Sequence, residues 1–198
     1  NGEEPRPNQD KWYEAYGFYL CDAYEANIPT PTNESDISTQ GNGLINIFPL
    51  SDATAGDNAT LSKFFEGVDM KVTNSKLTLP DGTTHKEGES CGAGKRKTTD
   101  TELKLFIWPP QASNRTKPEI VTEDFGSIRF EQNKGAYALA LVPKGTKKID
   151  LPPSVDNLDD PEGTAVPAAT TTAPTTTAEP SGSTTVAPST TAAPPTTA

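Results

Sequence analysis

The chain has 198 residues, a formal net charge of −10 and 19 prolines. A surface this acidic repels a phosphate backbone, which argues against nucleic acid as a partner. No apolar run reaches the 18 or so residues that a membrane-crossing helix needs, so no membrane span is expected in this segment.

Residues 1–10 are polar and include Pro5 and Pro7. They read as a tether leading out of an export segment that has been removed or left out. Residues 11–21 are rich in aromatics and predict a first strand. Alternation places Trp12, Glu14, Tyr16 and Phe18 on one face, and Tyr13, Ala15, Gly17 and Tyr19 on the other. Residues 36–40 and 44–48 flank Gly41-Asn42-Gly43, the signature of a hairpin. Leu61, Phe64, Phe65 and Val68 recur at helical spacing, with Asp57 or Asn58 as the expected N-terminal cap and Gly67 near the end. Residues 70–73 and 76–79 are short strands, and Pro80-Asp81-Gly82-Thr83 turns the chain back through 84–86. A polar loop over 87–100 follows, then a strong strand over 102–108 stopped by Pro109-Pro110. Residues 127–131 and 136–142 flank Asn133-Lys134-Gly135 and predict a second hairpin, whose last arm is apolar enough to be buried on both faces.

The predicted class is α+β: a mixed or antiparallel sheet with one packed helix, in a β-grasp-like arrangement. The expected organisation is a tether at 1–10, a strand-rich domain over 11–153, an acidic surface segment at 154–162 and a disordered tail at 163–198. That tail has no aromatic, Leu or Ile and carries one charge, Glu179. It cannot bury enough apolar area to offset its ordering entropy. Its threonines suit O-glycans. Cys21 and Cys91 are the only cysteines. In an exported chain an even count reads as one disulfide, against the alternative of two buried thiols.

Little in the sequence specifies a reaction. His85 is the only histidine, so no Ser-His-Asp or Cys-His set is available except around it. Gly92-Ala93-Gly94-Lys95 fails the phosphate-loop pattern because Glu89 and Arg96 stand where that pattern needs Gly and Ser or Thr. The many carboxylates, among them Asp156, Asp159 and Asp160, follow no calcium-loop spacing and read as a solvated acidic face. Nothing indicates a cofactor or a metal.

Several segments together resemble a family of uncharacterised, exported or membrane-anchored actinobacterial domains. They are Lys-Trp-Tyr-Glu-Ala-Tyr-Gly (11–17), Leu-Cys-Asp (20–22), Gln-Gly-Asn-Gly-Leu-Ile-Asn-Ile-Phe-Pro (40–49), Gly-Asp-Asn-Ala-Thr-Leu (56–61) and Ala-Leu-Val-Pro-Lys-Gly (140–145). The family pattern runs HWHxAYG, YxCD, HTHGDGxIHxHP and GxNATL. Its histidines imply a metal or proton site. In this chain Lys11, Tyr13, Ser38, Gln40, Asn46 and Phe48 stand at the histidine positions, and none supplies an imidazole. The resemblance therefore implies a retained scaffold around an altered site, with these six residues as the candidate ligand-binding set. The functional expectation is an extracytoplasmic, non-catalytic domain that binds a protein partner or small ligand at the cell surface. The alternatives are a divergent enzyme using carboxylates and tyrosines, and a structural envelope protein with a stalk-like tail.

Overall fold

The computed structural model of the protein describes residues 3–92, 94 and 97–163. The tail beyond Gly163, expected to be disordered and O-glycosylated, lies outside the described residues. So do Ala93, Lys95 and Arg96 of the failed phosphate loop.

The aromatic run forms β1 (Trp12–Leu20), and the apolar strand near the end of the domain forms β10 (Ala136–Pro143). They lie side by side and parallel, with Ala15 opposite Ala136 and Leu20 opposite Leu141. On the other edge of β1 sit β4 (Leu44–Ile47) and β2 (Ala23–Tyr24), both antiparallel to it, and β4 carries β3 (Ile37–Ser38). On the far edge of β10 lie β8 (Thr101–Trp108) and then β9 (Glu119–Val121), again antiparallel. The sheet therefore runs β3-β4-β1-β10-β8-β9 with β2 added to β1. A central parallel pair made of the first and last strands, with an antiparallel arm on each side and a helix between the arms in sequence, is a β-grasp-like order.

The two sheet faces are covered differently. Trp12, Tyr16 and Phe18 of β1, Leu139 and Leu141 of β10 and Leu103 and Leu105 of β8 form one buried face. The one α-helix among the described residues, α1 (Leu61–Gly67), lays Leu61, Phe64 and Phe65 against it, and Phe64 meets Tyr16 at a ring separation of 5.1 Å. Burying each such aromatic contributes about 1.5–3 kcal/mol. A small meander of β5 (Lys71–Thr73), β6 (Lys76–Thr78) and β7 (Thr84–Lys86) adds the buried Leu77 to that core.

The opposite face, with Tyr13, Ala15, Ala138 and Phe106, is covered by the chain after β10. Residues 154–162 were expected along the surface. Asp156, Asp159, Asp160 and Glu162 are exposed there, while the short 3-10 helix Pro153–Asp159 also buries Ser154 and Leu158, and the Ser154 hydroxyl donates to the Tyr16 carbonyl (2.9 Å). The alternation of Leu151, Val155 and Leu158 among acidic residues supplies the apolar side of this strap.

Three further expectations are corrected. Residues 127–131 do not form a hairpin with β10, because both edges of β10 are occupied by β1 and β8. The segment instead makes a 3-10 turn (Phe125–Ser127), and Arg129 bridges to Thr60 in isolation. With Thr60 extended at that bridge, the residue before the helix is Thr60 rather than Asp57 or Asn58, and the Asn58 side-chain amide donates to the Asp52 carbonyl instead. Residues 3–10 are tied down and do not hang free: the Gly56 amide donates to the Pro5 carbonyl (2.9 Å), and Arg129 pairs with Glu4 and Asp57. Cys21 and Cys91 form a disulfide with Cα atoms 5.1 Å apart, joining the end of β1 to the loop after β7.

Candidate functional site

Pairing geometry gathers three of the six candidate residues. Residues directly opposite in an antiparallel pair point to the same face. Asn46 is opposite Tyr13 on β1 and opposite Ser38 on β3, so the three form one row across three strands. The remaining three lie just outside the strands, two positions from a member of that row: Lys11 before Tyr13, Gln40 after Ser38, Phe48 after Asn46.

Four of the six line one open groove of about 270 Å³: Ser38, Gln40, Asn46 and Phe48. Gln40 is exposed, while Ser38 and Phe48 are half-buried. Asn46 is only 4% exposed, and its Oδ1 is buried without a hydrogen-bond partner. Leaving a buried amide oxygen unpaired costs on the order of 1–3 kcal/mol. Gly41 and Gly43 hold positive φ (82° and 75°) in the loop that brings Gln40 beside β4. Gly43 is also pinned by packing, since a Cβ there would lie 2.5 Å from that of Ser154.

Lys11 and Tyr13 stand behind Phe48 and do not line the groove. The Tyr13 ring meets Phe48 edge-on at 5.3 Å, and Lys11 Nζ lies 5.4 Å from the Phe48 ring centre. The Tyr13 hydroxyl donates to Glu162 Oε1 (2.8 Å), and Lys11 reaches the same oxygen at 3.5 Å. Burial, reinforced by Glu162, pushes the Tyr13 hydroxyl up to about 12, so it stays a donor across physiological pH. The hydrogen bond from Tyr13 and then the charge of Lys11 hold the Glu162 carboxyl below its ordinary range.

Several residues of this region carried no motif. Thr30, Glu34 and Asp36 complete the groove. Their only sequence mark is their place in a polar stretch just before β3. One oxygen of Asp36, Oδ2, is committed to structure, accepting from the Leu50 amide (2.9 Å) and the Thr54 hydroxyl (2.5 Å). Glu162 lies far along the chain, and nothing local pointed to it. His85 sits on β7 with Nδ1 3.2 Å from Glu89 Oε2, away from the groove. Among the described residues, no three His, Cys, Asp or Glu side chains are close enough together to hold a metal ion.

Compared with known proteins, the chain matches no family model, no curated protein and no solved structure. The site is therefore argued from its own geometry.

A second, larger cleft of about 480 Å³ lies where β8 ends and β10 begins, lined by Trp108, Lys117, Glu119, Glu131, Gly135 and Tyr137 among others. Beneath its Gly135 wall is Glu14, fully buried with neither carboxyl oxygen hydrogen-bonded. A Cβ on Gly135 would come within 2.9 Å of Glu14 Oε2, so only glycine leaves room for that carboxyl. Burial pushes Glu14 well above its ordinary pKa, opposed in part by the Gly135 amide, which lies near the carboxyl without the geometry of a hydrogen bond. Alternation had already placed this acid on the face of Trp12, Tyr16 and Phe18, which was the signal for it. Gly135 seals Glu14 from the cleft, so the acid is a feature of the core.

Proposed function

We propose that this is an extracytoplasmic, non-catalytic binding domain that takes a small polar ligand, or a short polar element of a partner, in the groove of Ser38, Gln40, Asn46 and Phe48. The observation that carries the reading is Asn46. Its side chain lines an open groove, and its Oδ1, buried without a partner as the chain stands, would gain one if the amide turned toward a bound ligand. The cystine suits an oxidising compartment, where such bonds persist.

The resemblance to the histidine-bearing domains adds a second line of support. Their six histidine positions correspond to three pairs spaced two apart, and in this chain one residue of each pair stands in the row of Tyr13, Asn46 and Ser38. Imidazoles there would stand together. Lys, Tyr, Ser, Gln, Asn and Phe in the same places keep hydrogen-bonding and apolar contact but supply no imidazole ligand.

The test is retention on cell envelopes of the source organism by labelled, oxidised full-length protein. The wild-type chain should be retained, and the Gln40→Ala/Asn46→Ala double variant should bind at least tenfold more weakly while unfolding with the same cooperativity. Equal retention of both proteins, or turnover of an envelope component that survives the double substitution, overturns the reading.

A further inference from the structure

We propose that the groove's ligand is a neutral saccharide. The inference rests on the binding-domain reading above and names the chemistry of what is bound. Charge excludes one large class: no Lys, Arg or His lines the groove, whereas Glu34 and Asp36 do. Lys11 Nζ, against the Phe48 ring, is directed to Glu162 at 3.5 Å. A phosphate, sulfate or uronate would therefore meet like charge with nothing to neutralise it.

The remaining polar groups have one property in common. Ser38 and Thr30 carry hydroxyls, and Gln40 and Asn46 carry amides, so each both donates and accepts. That is the complement of a sugar hydroxyl, which also does both. Turned toward the groove, the buried, unpartnered Asn46 Oδ1 would take a donor, and a hydroxyl supplies one while its oxygen still accepts from Gln40 or Ser38. Phe48 adds an apolar wall whose orientation is fixed by Tyr13 at its edge, at 81° between ring planes. A pyranose has the matching duality, with hydroxyls around its rim and a C–H face. An ammonium ligand is the main competitor, because the two neutral donors to Asp36 share one oxygen, Oδ2, and leave the charge of Asp36 and of Glu34 in place; choline is the probe that separates the two.

The experiment is chemical-shift mapping on oxidised, isotope-labelled full-length protein. The probes are glucose, galactose, mannose, N-acetylglucosamine and their short neutral oligomers at ~10 mM, in the range of weak affinity where Kd is on the order of 1 mM. Glucuronate, inorganic phosphate, choline and a Gly-Ser peptide are added at equal concentration. At least one neutral sugar is expected to give saturable shifts at the Asn46 and Gln40 side-chain amides. That sugar should also displace the protein from cell envelopes, and Gln40→Ala, an exposed position that leaves folding intact, should raise its Kd at least tenfold. Groove shifts with choline, phosphate, glucuronate or peptide but with no sugar overturn the saccharide and leave the binding-domain reading standing. Absence of groove shifts with every probe, together with envelope retention that the double variant does not weaken, overturns both.

Discussion

Glu14 sits on the central strand with no exposure and no hydrogen-bond partner, so the folded domain holds it as a neutral acid. Its folded pKa lies above the unfolded one. Stability linked to it is then complete below the ordinary carboxylate range and is lost as pH rises through the folded value. The largest slope one such group produces is about 1.4 kcal/mol per pH unit. Urea unfolding at successive pH values between 5 and 8 should show wild-type stability falling relative to Glu14→Gln, which stays neutral throughout. Carboxyls whose pKa is lowered on folding, such as Glu102, contribute the opposite slope to both proteins, so the difference between them isolates Glu14. Parallel profiles would mean that the acid is ionised and solvated in the native state. The sequence showed this residue on an apolar face, but it could not show that the β10 backbone at Gly135 closes over it.

At the scale of elements, α1 ends against β3. A Cβ on Gly67 would strike the Ile37 carbonyl oxygen and lie 2.7 Å from Ser35 Oγ. Helix propensity alone favours alanine over glycine by about 1 kcal/mol. Packing argues the other way, because overfilling a tight contact costs about 1–3 kcal/mol and neither the strand backbone nor the helix axis yields easily. Gly67→Ala is therefore expected to lower the unfolding free energy despite its better propensity, and a rise on chemical denaturation would show that β3 can move aside. The expected elements with strong local patterns, β1, β4, α1, β8 and β10, are present. Those that failed were decided at a distance. The Asn133-Lys134-Gly135 signal is real as a turn, but β10 had already been taken on both sides by β1 and β8, which no short window reveals. Strand β9 went unnoticed because it is three residues long and half-exposed, and only its register with Leu105, Phe106 and Ile107 makes it a strand. For the groove, the paired spacings of the six candidate residues were legible, and so was their altered chemistry. The row that joins Tyr13, Asn46 and Ser38 depends on strand register, and the walls of Thr30 and Glu34 come from a segment with no pattern.

For the molecule as a whole, the cystine closes a loop with a sequence separation of 70, which encloses β2 to β7, the helix and the groove. In the chain-entropy description such a link stabilises by about 4 kcal/mol, chiefly by restricting the unfolded chain. Reduction, or the Cys21→Ser/Cys91→Ser pair, should lower the thermal midpoint markedly, leaving the β10–β8 ladder, outside the loop, as the last part to lose amide-exchange protection. A midpoint unchanged by reduction would show that the central parallel pair holds the domain without the link.

The strap that crosses the second face also has a mechanical meaning. Its last described residues are moored to the groove's own framework: Asn157 to the Asn42 carbonyl, Asn42 to the Pro161 carbonyl, and Glu162 to Tyr13 and Lys11. Lifting this strap from the second face would release the loop bearing Gln40 and the ring that braces Phe48 together, so that the cover of one sheet face and the shape of the groove are coupled.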